Sequence, residues 1–185
     1  MSERKINEWA MPFVKKYRRY IDIGANVGHT SVPFIHKFEN IVAFEPHPDC
    51  FDILKDQPGI QALNFALLDE TKIVKLKLHK NSINKPEHGS IADRRNKDWD
   101  GKIFDVYGTT LDSFNFDDVD FIKVDVEQGE LEVIKGSLKT IEKNKPVIMF
   151  ENKRNENDSV IDILTDLGYK IKKYKSDTIA FIEEK

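Results

Sequence analysis

The segment Tyr20-Ile21-Asp22-Ile23-Gly24-Ala25-Asn26-Val27-Gly28 constrains the fold more than any other part of the chain. A short strand-type run stops at a glycine, and a second glycine follows four residues on. Thr30 to Phe38 then has the pattern of a helix. Gly24 permits a tight turn off the strand, and Gly28 allows a ligand to approach the backbone closely. Ile41 to Phe44 reads as a second, wholly apolar strand and Pro48 to Asp56 as the helix after it. Such a βαβα opening predicts an α/β fold whose mostly parallel sheet is covered by helices on both faces.

The remaining pattern agrees. Ile60 to Phe65 reads as a third strand, and Ile73 to His79 alternates apolar and basic residues as an exposed strand would. Phe121 to Val126 and Pro146 to Phe150 are further strands, followed by helices over Glu130 to Leu138 and Ser159 to Leu167, the latter ended by Gly168. Tyr169 to Tyr174 and Thr178 to Ile182 flank Lys175-Ser176-Asp177, which predicts a C-terminal antiparallel hairpin. Upstream, Ile6, Trp9, Ala10, Phe13 and Tyr17 recur at helical spacing, so residues 1–19 are expected to be an N-terminal helical segment, interrupted or restarted at Pro12. From Asn81 to Gly101 the periodicity disappears. Residues 81–101 are expected to be an insertion or lid, with Gly89 as a hinge or a close approach to ligand and Arg94 and Arg95 gripping an acidic or hydroxyl-rich acceptor.

With 185 residues the whole chain, 1–185, is expected to be one domain. Its net charge of -3 lacks the basic excess of a generic nucleic-acid or anionic-membrane binder. The longest apolar runs fall far short of the ~20 residues that cross a bilayer. Cys50 is the only cysteine, so no intrachain disulfide forms. The expectations are therefore a cytoplasmic protein with no nucleic-acid or membrane partner; nothing in the sequence speaks to oligomeric state.

The glycine spacing carries chemistry. A dinucleotide fingerprint needs glycines where this chain has Asn26 and His29, which argues against a nicotinamide-dependent oxidoreductase. What remains is Asp22-x-Gly24-x-x-x-Gly28, in which an acid at the strand end suits a ligand with a positive centre better than a pyrophosphate. About twenty residues later the second strand ends in Phe44-Glu45-Pro46, where nucleotide folds place the acid that takes a ribose diol. Together these features point to an adenosine-containing ligand.

On these residues the chain resembles the FkbM-type methyltransferases, S-adenosyl-L-methionine-dependent enzymes with the Rossmann-like class I fold and a seven-stranded sheet. The resemblance runs from about Tyr20 to Tyr169, through Ile21 to Gly28, Ala43-Phe44-Glu45-Pro46, Asn64-Phe65-Ala66-Leu67, Thr110-Leu111-Asp112, Lys123 to Glu127 with Glu130, and Leu167-Gly168-Tyr169. It implies that Gly24, Asn26 and Gly28 line the methionine side of the cofactor, that Glu45 holds the ribose, and that Asn64 and Ala66 lie near the adenine. It also implies methyl transfer to oxygen of a small-molecule acceptor, with carbohydrate as a candidate. One block departs from the family: the glycine usual after Glu127 is replaced by Gln128, followed by Gly129.

Asp22, Glu45, Asp125, Glu127 and Glu151 all fall at the carboxyl ends of predicted strands, the edge where open α/β sheets bind ligands. Asp22 joins the cofactor-binding set. Asp125 and Glu127 are the catalytic candidates, as general base or substrate-positioning groups. Glu151 is expected to cap a helix or pair with a base, and Lys123, inside an apolar strand, to be buried against one of these acids. A weak divalent-metal site at Asp125 and Glu127 is the lesser alternative; no metal ligand is assigned, because the acids supply oxygen ligands but no motif fixes their number. His29, His47 and His88 read as surface or capping residues and Cys50 as packing. A non-catalytic binding module on the same fold is the other rival, against which stands the presence of Asp22, Gly24 and Glu45.

Overall fold

The computed structural model describes residues 8–78, 89–91, 102–152 and 157–183. In chain order the first half gives β1 (Arg19–Ile23), β2 (Asn40–Phe44), α1 (Pro48–Leu54), β3 (Gln61–Leu63), β4 (Ala66–Leu67), β5 (Lys72–Leu78) and β6 (Gly89–Ile91). The second half gives β7 (Ile103–Thr109), β8 (Val119–Val124), α2 (Glu130–Lys135), α3 (Leu138–Asn144), β9 (Val147–Glu151), α4 (Asp158–Asp166), β10 (Lys170–Tyr174) and β11 (Asp177–Phe181).

The main sheet has seven strands in the order β10-β11-β9-β8-β1-β2-β3. Its five strands from β9 to β3 are parallel, and β11 and β10 close it as an antiparallel hairpin. The order reverses at β1, whose Asp22 lies opposite Ala43 on one side and Lys123 on the other. That reversal is the place where an open α/β sheet forms its ligand crevice.

Alternation along the strands builds a core on each face. Ile21, Ile23, Val42, Phe44, Ile122, Val124, Ile148 and Phe150 pack one side against Val133, Ile134, Val160 and Leu164. Tyr20, Ile41, Phe121, Val147 and Met149 pack the other against Ala10, Met11, Val14, Phe34 and Phe38. Each such fully buried side chain contributes about 1.5–3 kcal/mol.

A second sheet, in the order β4-β7-β5-β6, holds Val74, Leu76 and Val106 inside while Ile73 and its cross-strand partner Tyr107 face solvent. β5 is legible in the sequence and β7 is not, because β7 exposes the apolar Ile103 and Tyr107 and so shows no clean alternation of apolar and polar residues.

Four elements differ from expectation. Thr30 to Phe38 is a series of turns around a 3-10 helix at Val32–Phe34; Pro33 has no amide to donate to the preceding turn, so a regular helix does not run through it. The N-terminal helix is short, with residues 8–10 helical, a 3-10 turn at Met11–Phe13 containing Pro12, and extended backbone from Val14. Residues 1–7 lie outside the described residues.

The helix expected over Glu130 to Leu138 is two helices. A Cβ on Gly136 would lie 1.9 Å from the Leu68 carbonyl oxygen, and Asp112 accepts from the amides of Lys139 and Thr140 at the start of α3. Within 81–101, Gly89–Ile91 forms β6 on the edge of β5, so Gly89 is a strand residue paired with Leu78. The rest of that segment, with His88, Arg94 and Arg95, lies outside the described residues.

Candidate cofactor site and reactive edge

The loop after β1 is fixed to its neighbours on both sides. The amides of Gly24 and Ala25 both donate to the Phe44 carbonyl at 3.0 and 3.1 Å, and the Asp125 amide donates to the Ile23 carbonyl at 3.0 Å. Gly24 has φ +77, and a Cβ there would lie 1.9 Å from the Asp125 carbonyl oxygen. Only glycine fits that crossing. Asn26 also adopts a left-handed conformation, φ 54, which Asn tolerates better than most residues. Gly28, φ +92, is packed against Leu54 of α1 and Val32, so its missing side chain serves loop packing in this structure.

Glu45 extends from the end of β2 beneath this loop. Its Oε2 accepts from the Asn26 amide at 2.8 Å and its Oε1 from the His47 amide at 2.8 Å. Burial pushes its carboxyl up to about 7, against the lowering effect of those two amide bonds. A carboxylate has about four lone-pair sites, so each oxygen retains acceptor capacity beyond its amide bond. A desolvated anion with unused acceptor sites fits the two hydroxyls of a ribose diol. Asn64, exposed after β3, donates to the Glu45 carbonyl at 2.8 Å, and Ala66 is buried at the start of β4.

Asp22 lies fully buried under the loop. Its Oδ2 accepts from Thr30 Oγ1 at 2.6 Å and Ser31 Oγ at 2.5 Å, while Lys123 Nζ is 3.6 Å from Oδ1. These contacts tie the turn after Gly28 back to the central strand. Lys123 also reaches Asp125 Oδ2 at 3.3 Å, so the buried cation expected from its place in an apolar strand does pair with the strand-end acids. Asp125 is 44% exposed and opens onto the carboxyl edge.

The chain then turns through two successive left-handed residues, Glu127 at φ 49 and Gln128 at φ 72. Gln128, where the chain departs from the resemblance described above, carries its side chain on a backbone conformation that glycine adopts more easily. Gly129 lies one residue later, at φ -120.

Glu130 follows, buried, with its carboxyl raised by desolvation and its Oε2 accepting from Asn157 Nδ2 at 3.2 Å. Asn157 Nδ2 also donates to the Glu151 carbonyl at 2.6 Å, joining the ends of β9, α2 and α4. Thr30, Ser31 and Asn157 were not among the residues singled out from the sequence, and Glu130 was named in a family block without a role. The two hydroxyls following Asp22 at eight and nine residues were the available signal; the link from Glu130 to Asn157 leaves no local pattern.

His47 caps α1, accepting from the amides of Asp49 at 3.1 Å and Cys50 at 3.5 Å through Nδ1. Its burial lowers its pKa. Cys50 is buried and its thiol pushed up to about 12, which agrees with packing as its role. His29 is exposed. Among the described residues no group of three or more His, Cys, Asp or Glu is placed to hold a metal ion, and no helix is long and apolar enough to cross a membrane.

Residues 22–171 match the family model of the methyltransferase FkbM domain. The chain belongs to the FkbM methyltransferase family. The match spans the glycine loop, Glu45, the Asp125 edge and the start of the hairpin, and it leaves the nicotinamide alternative without support.

Among solved structures, the fold of this FkbM-family chain is similar to that of a methyltransferase FkbM from Methylobacillus flagellatus, with TM-score 0.62 and 17% identity over 89% of this chain and 43% of that one. The chain therefore spans less than half the length of the Methylobacillus protein. It is also similar to an rRNA methylase from Streptococcus thermophilus (TM-score 0.56, 7% identity, 97% of this chain and 95% of that one). A SAM dependent methyltransferase from Aquifex aeolicus gives TM-score 0.53 and 12% identity over 98% and 90%. At these identities the structures show the shared class I fold. No curated protein sequence matches the chain.

Proposed function

We propose that this FkbM-family chain transfers a methyl group from S-adenosyl-L-methionine to an oxygen of a small polar acceptor, with a sugar as the favoured class. The observation that carries the reading is the buried Glu45 carboxylate, held at the sheet's switch point by the amide of the glycine loop and retaining acceptor sites for a diol. The cofactor, when bound, supplies a methyl group activated on a sulfonium. Gly24, Asn26 and Gly28 would shape its methionine side, with Asp22 beneath them, and Asn64 and Ala66 would border the adenine.

Asp125 and Glu127 are the carboxylates assigned to turnover, as general base or substrate-positioning groups. Holding a nucleophile in line with the methyl group removes several kcal/mol of barrier, and a carboxylate that accepts the hydroxyl proton as the bond forms adds to this. A small acceptor is favoured over nucleic acid because the net charge is -3 and no basic excess is present. A cytoplasmic location and a single domain complete the reading.

The test is transfer of labelled methyl from the cofactor to a panel of mono- and oligosaccharides, with RNA as the competing acceptor. Label on a sugar hydroxyl supports the assignment; label on RNA alone replaces the acceptor class, and label on neither after verified cofactor binding removes it.

A further inference from the structure

Lys123 touches both sides of the proposed site. It stands on β8 directly opposite Asp22 of β1, and its side chain is only 7% exposed. Its ammonium lies 3.6 Å from Asp22 Oδ1, under the glycine loop, and 3.3 Å from Asp125 Oδ2, at the open edge. A buried ammonium is costly to desolvate and needs such partners. The two carboxylates differ, however. Asp22 is fully buried and already accepts two hydroxyl hydrogen bonds, whereas Asp125 is 44% exposed. The Lys123 contact is made to Asp125 Oδ2, so the carboxylate is held by that oxygen and can offer Oδ1 at the open edge.

Resting on the functional reading above, we propose that Lys123 is a positioning residue, which fixes Asp125 through Oδ2 so that Oδ1 accepts from the ammonium of the cofactor's amino-acid end. The chemistry follows from place. Gly24 crosses the Asp125 carbonyl, so the amino-acid end of a cofactor seated on Gly24 and Asn26, as proposed above, would have its ammonium beside this edge. A carboxylate clamped by one oxygen binds an ammonium without first losing its own side-chain freedom. The arrangement divides the two strand-end acids: Asp125 orients the cofactor, and Glu127 is left as the candidate base.

Three ligands and four variants test it by calorimetry. S-adenosylhomocysteine and S-adenosylmethionine carry the ammonium; 5′-methylthioadenosine keeps the adenosine and lacks the amino-acid part. Asp125→Asn and Lys123→Met should each weaken S-adenosylhomocysteine by about tenfold, and the double variant no further, because both remove one interaction. Binding of 5′-methylthioadenosine should not change, and Lys123→Arg should recover most of the affinity for S-adenosylhomocysteine. Losses that multiply in the double variant, or an equal loss for 5′-methylthioadenosine, would overturn the proposal.

Lys123→Met leaves Asp22 buried without its cation and can fail to fold, so a second measurement uses the native lysine. The proton–nitrogen NMR signal of the Lys123 ammonium should shift in Asp125→Asn, a half-exposed substitution; an unmoved signal refutes the pairing. This arm needs no ligand. If no adenosine compound binds the wild type, the functional reading fails, while the NMR result still decides whether Lys123 holds Asp125.

Discussion

The carboxylate of Glu45, at the end of β2, accepts a 2.8 Å hydrogen bond from the backbone amide of Asn26 in the loop after β1. The acid and the loop are therefore one unit, and a change at either should be felt by the other. Glu45→Ala removes both the acceptor of the Asn26 amide and the group assigned to the ribose. Cofactor affinity should fall by roughly 1.5 to 3 kcal/mol per lost charge-assisted bond, measured by calorimetry. Unchanged affinity would place the ribose elsewhere.

The same group sets a pH dependence of stability. Burial raises its carboxyl from 4.5 to about 7, so between those values the folded protein holds a proton that the unfolded chain has released. That contribution is fully present below pH 4.5 and is lost as pH rises through 7. Glu45→Gln does not titrate, so its stability relative to the wild type should rise by a few kcal/mol across this window in urea unfolding series. A constant difference between the two proteins would show that the carboxylate is not desolvated.

Gly24→Ala should be severely destabilising. A methyl there meets the Asp125 carbonyl oxygen at 1.9 Å, on a backbone at φ +77. The cost should exceed about 3 kcal/mol, since steric overlap and left-handed strain add. Thermal unfolding within a degree or two of the wild type would contradict the crossing of loop and β8.

Gln128→Gly should act in the opposite direction. Its φ of 72 is one that glycine adopts without a Cβ penalty, and its side chain is exposed, so little packing is lost. Stability should rise by up to about 1 kcal/mol, read from the urea midpoint. A loss of stability would mean that the Gln128 side chain holds the turn.

The parallel core was legible because its strands, Ile41 to Phe44 and Phe121 to Val124 among them, are apolar runs bounded by turn residues, and because glycine marks the turn at Gly24. Local pattern failed where a single residue overrode it. Pro33 breaks what otherwise looks like a helix, and Gly136 ends α2 because the Leu68 backbone passes against it, a contact no helical period records. The strand β7 was hidden by its exposed Ile103 and Tyr107.

At the site, the strand-end acids could be placed from the sequence, and Lys123 could be expected to find one of them. That it reaches Asp22 as well as its near neighbour Asp125 depends on the register of β1 against β8, which sequence does not encode locally. The bond between Glu130 and Asn157 likewise joins residues far apart in the chain.

The crevice at the ends of β1, β2 and β8 is assigned above to S-adenosyl-L-methionine. Calorimetric titration of ligand-free protein with S-adenosylmethionine, S-adenosylhomocysteine, NAD and ATP tests that assignment most directly. Saturable one-to-one binding of the first two is expected, weakened by Glu45→Ala, with no comparable binding of NAD or ATP. Tight binding of NAD, or S-adenosylmethionine binding that Glu45→Ala leaves unaltered, would contradict it.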